Sequence, residues 1–392
     1  MKLSPRSKSY IIPEYSLTGD LLSFLTCNLQ YRYQNRGTLP PSMPIQLWFG
    51  EFIHGVMEEA FLHWNNTKKS FPWDWKKDIR PIEEMIDLRL RARGLYPPLD
   101  FFCKFDKKVT NISGKCPNND HPHKLLYSSR AESAINVWGP DLFPLIDSAE
   151  VMIKGKRPMP NFNKDISRSN YYGINGIIDV ISSLKIDEDN NSIIEYLKKT
   201  TGFSKRLELL DSNEYEIIID YKGMKRPPIN SNNWIHHQWQ LLTYAWLRSK
   251  INESKPIVAG IIFYLNELVP STADLISIKE DIITGLNDVE ISESEKFKIL
   301  NWDKNEVNYI QLSEKFKKDR SIRTIIIEKE SIVNALESFD EVVFEIESSI
   351  IDETNGTPIK SAWKGIGDKR TCDACDFKSF CNKTKFNDFK IP

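Results

Sequence analysis

No apolar run in the 392-residue chain approaches the roughly 18 residues that a membrane helix needs. The opening stretch, MKLSPRSKSYIIPEY, lacks the apolar centre of a secretory leader. Both absences lead us to expect a cytoplasmic protein with no membrane partner. Charge of one sign is also missing. Lys and Arg total 53 against 54 Asp and Glu, a net charge of −1, so bulk charge does not draw this chain to nucleic acid and any such binding needs a local basic groove. Cysteine is scarce, six in all, with none between Cys116 and Cys372. In a reducing compartment these are poor candidates for disulfides, which leaves metal ligation, catalysis or plain burial. There is no internal repeat, no long low-complexity segment and no Walker P-loop, which argues against a helicase motor on this chain.

What is present reads as a mixed α/β chain. SLTGDLLSFLTCNLQYRYQNRG predicts one helix, N-capped by Thr18, ended by Gly37 and carrying Cys27 inside it. After the link TLPPSMP, IQLWFGEFIHGVMEEAFLHW predicts a second, with His54 within it. Residues 97–130 carry no period and read as irregular. SAEVMIKG, YYGINGIIDVISSLK and EYEIIIDYKG are β-branched runs bounded by turn residues; a helix at WIHHQWQLLTYAWLRSK and a strand at PIVAGIIFYLNE follow. This order indicates a mixed central sheet flanked by helices. We divide the chain into an N-terminal helix (1–44), a core (45–270) with insertions at 97–130 and 187–213, a helical and loop region (271–370) and a cysteine segment (371–392).

The chemistry concentrates at a few positions. On the strand IIIDYKG, Asp220 and Lys222 share a face and Tyr221 opposes them. A carboxylate beside an ammonium suits phosphodiester cleavage: the first binds a divalent cation and the second orients the attacking water. The plainer alternative is a strand-end ion pair. Asp179, which ends GINGIID, offers a second oxygen ligand, and His54 a nitrogen that favours Mn²⁺ over an all-oxygen site; alone, His54 also reads as a satisfied helix histidine. Gln240 and Tyr244 are i and i+4 on one helix face, placed to hold Lys222 or a phosphate, or simply half-buried. Lys225 and Arg226, with Lys198, Lys199, Lys205 and Arg206, offer cations for a phosphate backbone, and Trp73, Trp75 and Trp234 offer stacking surfaces; solvated charge and half-buried aromatics are the equally weighted plain reading of each.

Taken in order, GEFIH (50–54), GIID (176–179), DYK (220–222) and QLLTY (240–244) resemble the GxxxH, GxxD, (D/E)xK and QxxxY motifs of the PD-(D/E)XK nuclease superfamily, specifically its RecB-like branch. CRISPR-associated RecB-like exonucleases and the AddB nuclease domain are similar examples. The resemblance implies a restriction-endonuclease-like α/β core. It implies Mg²⁺ or Mn²⁺ on His54, Asp179, Asp220 and the backbone carbonyl of Tyr221, with Lys222 as the catalytic lysine supported by Gln240 and Tyr244. Glu150, in SAEVMI, matches an acidic position on the preceding strand. One departure stands out. Asp179 and Asp220 are 41 positions apart (220 − 179), because 187–213 reads as an insertion. That insertion holds a decoy, EYLKK, whose Glu195 and Lys198 are three apart and would face opposite sides of a strand.

The same branch includes members with an iron–sulfur cluster, held by one early cysteine and three late ones. CDACDFKSFC places Cys372, Cys375 and Cys381 in ten residues, and the resemblance adds Cys27 as the fourth ligand of a [4Fe–4S] cluster; Asn28 stands where Pro usually follows. Four thiolates equally suit zinc, which stays as the alternative. Cys103, Cys116, His121 and His123 form either a loose second metal site or an irregular loop. The expected activity is a Mg²⁺- or Mn²⁺-dependent deoxyribonuclease, exonuclease before endonuclease, acting on single-stranded DNA or DNA ends. A helicase or a defence-system protein is the expected partner. A catalytically silent scaffold subunit and an RNA-directed nuclease are the competing readings.

Overall fold

The computed structural model describes residues 12–36, 45–103, 123–184, 191–210, 212, 214–252, 254–303, 310–365, 369–373, 375–378 and 381. Among these, six strands form one mixed sheet: β1 (Glu14–Ser16), β2 (Ile146–Pro158), β3 (Tyr171–Leu184), β4 (Tyr215–Lys222), β5 (Ile257–Tyr264) and β6 (Ile322–Ile326). β4 and β5 are near-continuous apolar runs because both their faces are covered, which is the pattern of interior strands. Tyr215, Ile217, Ile219 and Tyr221 of β4 join one core, with the helices Ile45–Thr67, Arg80–Ala92 and Leu126–Leu142. Ile218 joins the other, with the helices Asn232–Arg248 and Lys329–Thr354 and the N-terminal segment Leu17–Tyr31. Asp220 and Lys222, two and four residues on from Ile218, face that second layer.

The feature that positions the site is a change of neighbour halfway along β3. β2 pairs antiparallel with β3 along nearly its whole length, from Ser182 back to Tyr171. That leaves one edge of β3 for two other strands. β1 runs parallel to residues 173–175 and β4 antiparallel to residues 180–184. The last rungs are Ser16↔Asn175 and Ile219↔Val180, so the C-terminal ends of β1 and β4 converge on residues 176–179 from opposite directions. This fork opens the sheet at its centre. Packing alternation slips at the same point. Ile174 and Ile178 pack toward the 232–248 helix, whereas Val180 packs toward the 45–67 helix; on β2, Val151 and Ile153 differ from Ala149 in the same way. The slip falls at Asp179 and, on β2, at Glu150.

Three expectations change. The N-terminal helix is not continuous. Cys27 adopts an extended conformation (φ −166°, ψ 111°) between helical pieces Leu22–Thr26 and Asn28–Tyr31, and Ser16 rather than Thr18 caps its start, accepting from the Gly19 N–H. Residues 97–130 are not irregular throughout, since a helix begins at Leu126. The 271–370 region contributes β6 to the sheet, antiparallel to β5, as well as helices. The described residues within 187–213 include two helices, Ser192–Lys199 and Phe203–Leu210, and the decoy residues Glu195 and Lys198 are helical. The link at 37–44, Cys116 and His121 lie outside the described residues.

Candidate metal centre

At the fork, β4 leaves β3 after Ile219, and the Tyr221 N–H loses its partner on β3. The Asp179 carboxylate replaces that partner: Tyr221 N donates to Oδ2 at 2.7 Å. His54 reaches the same carboxylate from the 45–67 helix, its Nδ1 3.3 Å from Asp179 Oδ2. Its Nε2 lies 2.8 Å from the Tyr221 carbonyl, which can only accept, so Nε2 carries the proton. The ligand role that the resemblance implies for the Tyr221 carbonyl requires this bond to open.

Glu150 lies across from Asp179, between the rungs Ala149↔Val180 and Val151↔Ile178. Its φ of +51° is in the left-handed region, uncommon for a residue with a side chain. That local twist produces the slip in alternation and turns Glu150 toward Asp179 rather than into either core. Donor atoms of His54, Glu150 and Asp179 all lie within 4.8 Å of one another. One nitrogen and two carboxylates at such spacing fit a hard divalent cation that keeps water or phosphate in its remaining positions.

Asp220, Lys222, Gln240 and Tyr244 form an adjoining chain of contacts. Lys222 Nζ is 2.7 Å from Asp220 Oδ2 and donates to Gln240 Oε1 at 2.8 Å. Gln240 Nε2 donates to Asp220 Oδ1 at 3.0 Å and approaches the Tyr244 hydroxyl at 3.3 Å. Gln240 therefore satisfies the acid and the base of the pair at once. Tyr244 is seated by Gly176: a Cβ there would stand 2.5 Å from the Tyr244 ring. The glycine of GIID and the tyrosine of QLLTY are thus two sides of one close contact. Both sets of residues line one cleft of about 530 Å³, which also takes in Gly50, Glu51 and Ile177.

The charges respond to this crowding. Burial and the nearby Asp179 lift Glu150 to about 7. Burial also raises Asp220, against the pull of Lys222. Burial alone would lower His54, but the Asp179 carboxylate outweighs it and holds the imidazole up at about 9. Asp179 itself is lowered, because His54 more than offsets the cost of its burial. A cluster of carboxylates that draws protons so strongly is the environment a cation would relieve.

At the other candidate site, Cys27, Cys372, Cys375 and Cys381 line one small cavity of about 20 Å³ with Leu29, Tyr33 and Phe377. The break at Cys27 separates the two helical pieces at the point where its thiol meets the others. Burial, with Cys27 and Cys372 close by, raises the Cys375 thiol, although the Phe377 N–H opposes this from 3.4 Å. Tetrahedral zinc would hold its sulfurs about 3.8 Å apart. Four thiols around one cavity could serve either a single zinc ion or a larger iron–sulfur cluster.

Other sequence candidates are placed elsewhere. Trp73, Trp75 and Trp234 are buried core residues with no ring open to a base. Arg226 is buried in a bidentate pair with Asp288, and Lys225 is hydrogen-bonded to Ser277. These side chains hold the sheet to the 272–321 region rather than a phosphate. Cys103 is buried, with its carbonyl accepting from Arg80.

A mixed six-stranded sheet flanked by helices, opened at its centre around carboxylates, is a restriction-endonuclease-like α/β fold. Residues 201–382 match the family model of the PD-(D/E)XK nuclease superfamily, and the chain carries a domain of that superfamily there. The matched span includes Asp220, Lys222, Gln240, Tyr244 and the three late cysteines; His54, Glu150, Asp179 and Cys27 lie before it. The search of curated proteins returned no match. No helix among the described residues is long and apolar enough to cross a membrane.

Proposed function

We propose that this chain is a divalent-metal-dependent deoxyribonuclease of the RecB-like branch, acting on single-stranded DNA or DNA ends. The observation that carries this is the convergence of His54, Glu150 and Asp179 within 4.8 Å, beside an Asp220–Lys222 pair in the same cleft. A divalent cation bound there supplies Lewis-acid polarisation of the scissile phosphate and neutralises developing charge. Asp179 and His54 are ligands, held by the Tyr221 backbone; Glu150 and Asp220 complete the oxygen set. Lys222, steered by Gln240, directs its ammonium at the water that attacks phosphorus and stabilises charge in the transition state. Tyr244 holds Gln240 in place.

The four thiols fit a [4Fe–4S] cluster with a structural role, since phosphodiester hydrolysis transfers no electrons. The closed loop from Cys27 to Cys372 spans 345 positions (372 − 27), so the cluster ties the two ends of the chain around the core.

Anaerobically purified protein is to be assayed on single-stranded, duplex and RNA oligonucleotides with Mg²⁺, Mn²⁺ or EDTA. Cleavage of DNA that needs the metal and is lost in Lys222→Ala is expected. No cleavage of any of them by folded, brown protein would overturn the reading, and cleavage of RNA alone would reassign the substrate.

A further inference from the structure

Tyr171, Gly173, Asn175 and Ile177 occupy alternate positions on β3 and share a face. Opposite them on β2 stand Pro158, Lys156, Lys154 and Met152. The intervening residues Tyr172, Ile174, Ile178 and Ile153 are buried against the helical layer that contains the 232–248 and 329–354 helices. The first set therefore faces the opposite way, and its ends are open: Met152 is 67% exposed, Ile177 44% and Tyr171 42%, while Gly173 between them lies under the Glu14 side chain. Exposed apolar side chains on adjacent strands of a sheet call for an occupant.

The two rows run straight into the metal group. The next positions after Ile177 and Met152 in each row are Asp179 and Glu150, and Asn175 and Ile177 already line the catalytic cleft. At the far end the Lys156 ammonium lies 4.0 Å over the Tyr171 ring, a cation and an aromatic face held together. Between them Lys154 is joined by Glu14, which also accepts from Asn175. From Asp179 to Tyr171 the row covers eight residues, about 26 Å at ~3.3 Å each. That is room for roughly four nucleotides, the low end of single-strand site sizes.

Resting on the nuclease reading above, we infer that this open face of β2 and β3 is the platform along which one DNA strand is laid to reach the metal group. The chemistry selects a single strand over a duplex. Unpaired bases present apolar π-faces to Met152, Ile177 and Tyr171, while Lys154 and Lys156 take phosphates; in a duplex the bases are stacked on each other and only phosphates are offered. Tyr171 and Lys156 form the distal anchor, beyond the reach of a dinucleotide held at the metal group.

The test uses the full-length protein and the variants Tyr171→Ala and Lys156→Glu, with melting temperature as the folding control. Binding of a fluorescent oligothymidylate is read in Ca²⁺, and hydrolysis of bis(p-nitrophenyl) phosphate in Mn²⁺. Each variant is expected to weaken oligothymidylate binding about tenfold, the size of one lost base stack. Hydrolysis of the small diester, which touches only the cleft, stays at the wild-type rate. Wild-type affinity for the oligonucleotide in both variants would overturn the platform. If the wild type fails to cleave the small diester and every oligonucleotide, the nuclease reading falls, while the binding comparison still decides whether the strand lies on this face.

Discussion

The fork and the cysteine cavity are both candidate sites for metal, and they are built in opposite ways. At the fork every donor sits on a regular element, and the protein's own hydrogen bonds already hold the shape: Asp179 on the Tyr221 N–H, His54 on the Tyr221 carbonyl, and Gln240 between Asp220 and Lys222. The cavity draws its sulfurs from the broken helix around Cys27 and, far along the chain, from the short helix Lys369–Asp373 and the residues after it. The described backbone bonds there are local, Cys375 N to Cys372 O and Cys381 N to Lys378 O. Longer-range support comes from neighbours: Arg32 paired with Glu353, the Trp363 indole on the same carboxylate, and the Phe24, Tyr31 and Trp363 rings together. The fork's donors are thus fixed by the protein's own hydrogen bonds, whereas the thiols are brought together from distant parts of the chain with local backbone bonds beside them.

The sharpest way to break this contrast is to remove each occupant. Cys27→Ala should bleach the broad absorbance near ~400 nm expected of a cluster and lower the melting temperature by ~10 °C or more, the scale of a lost structural metal site. EDTA should abolish cleavage while lowering the melting temperature by clearly less than Cys27→Ala does. Equal destabilisation by both treatments would erase the distinction. Within the fork, Lys222→Ala should cut the rate of DNA cleavage by about 10²–10³-fold with folding and colour intact, comparable with losing one preorganised transition-state donor.

A smaller effect separates the two motif glycines. Gly176→Ala places a methyl against the Tyr244 ring and should cost about 1–3 kcal/mol of stability, with loss of activity as Tyr244 and Gln240 shift. Gly50→Ala meets nothing within 4 Å and, inside the 45–67 helix, should raise stability by about 0.5–1 kcal/mol. Thermal melts of the pair check this.

The pH dependence has a defined sign. Glu150 and Asp220 are raised in the folded protein, so the unfolded chain releases their protons first, and metal-free stability falls as pH rises from about 4 toward 7. His54 is raised too, and its contribution, complete below its unfolded value of 6.5, is lost as pH climbs to about 9. Asp179 acts the other way, but its loss lies at pH below its unfolded value of 3.8, outside this window. A bound cation removes the penalty, so metal-free and Mn²⁺-loaded melting curves should diverge as pH rises; parallel curves would contradict the assignment.

Much of the fold was legible in the sequence because the informative strands are long and apolar. The spacing of Asp220 and Lys222 determined their common face, and i, i+4 joined Gln240 to Tyr244. Period also eliminated the Glu195–Lys198 decoy, which is helical. The three-residue β1 and five-residue β6 are too short to show a period. The break at Cys27 departs from local helix preference, and it occurs where four thiols meet from distant parts of the chain. Glu150 carried little weight as one acid in a strand; its place beside Asp179 depends on a left-handed backbone twist that its sequence context does not announce. The tryptophans left two readings open, because large aromatics serve cores and stacking surfaces alike, and here Trp73, Trp75 and Trp234 are core.

We propose that the fork binds a divalent ion through His54, Glu150 and Asp179. Calorimetric titration of Mn²⁺ into wild-type protein and Asp179→Asn at neutral pH tests it directly. One strong site per chain is expected in the wild type, filled with release of protons as His54 and Glu150 give theirs up, and lost in Asp179→Asn. Equal Mn²⁺ affinity in the two proteins, or binding with no proton release, would contradict it.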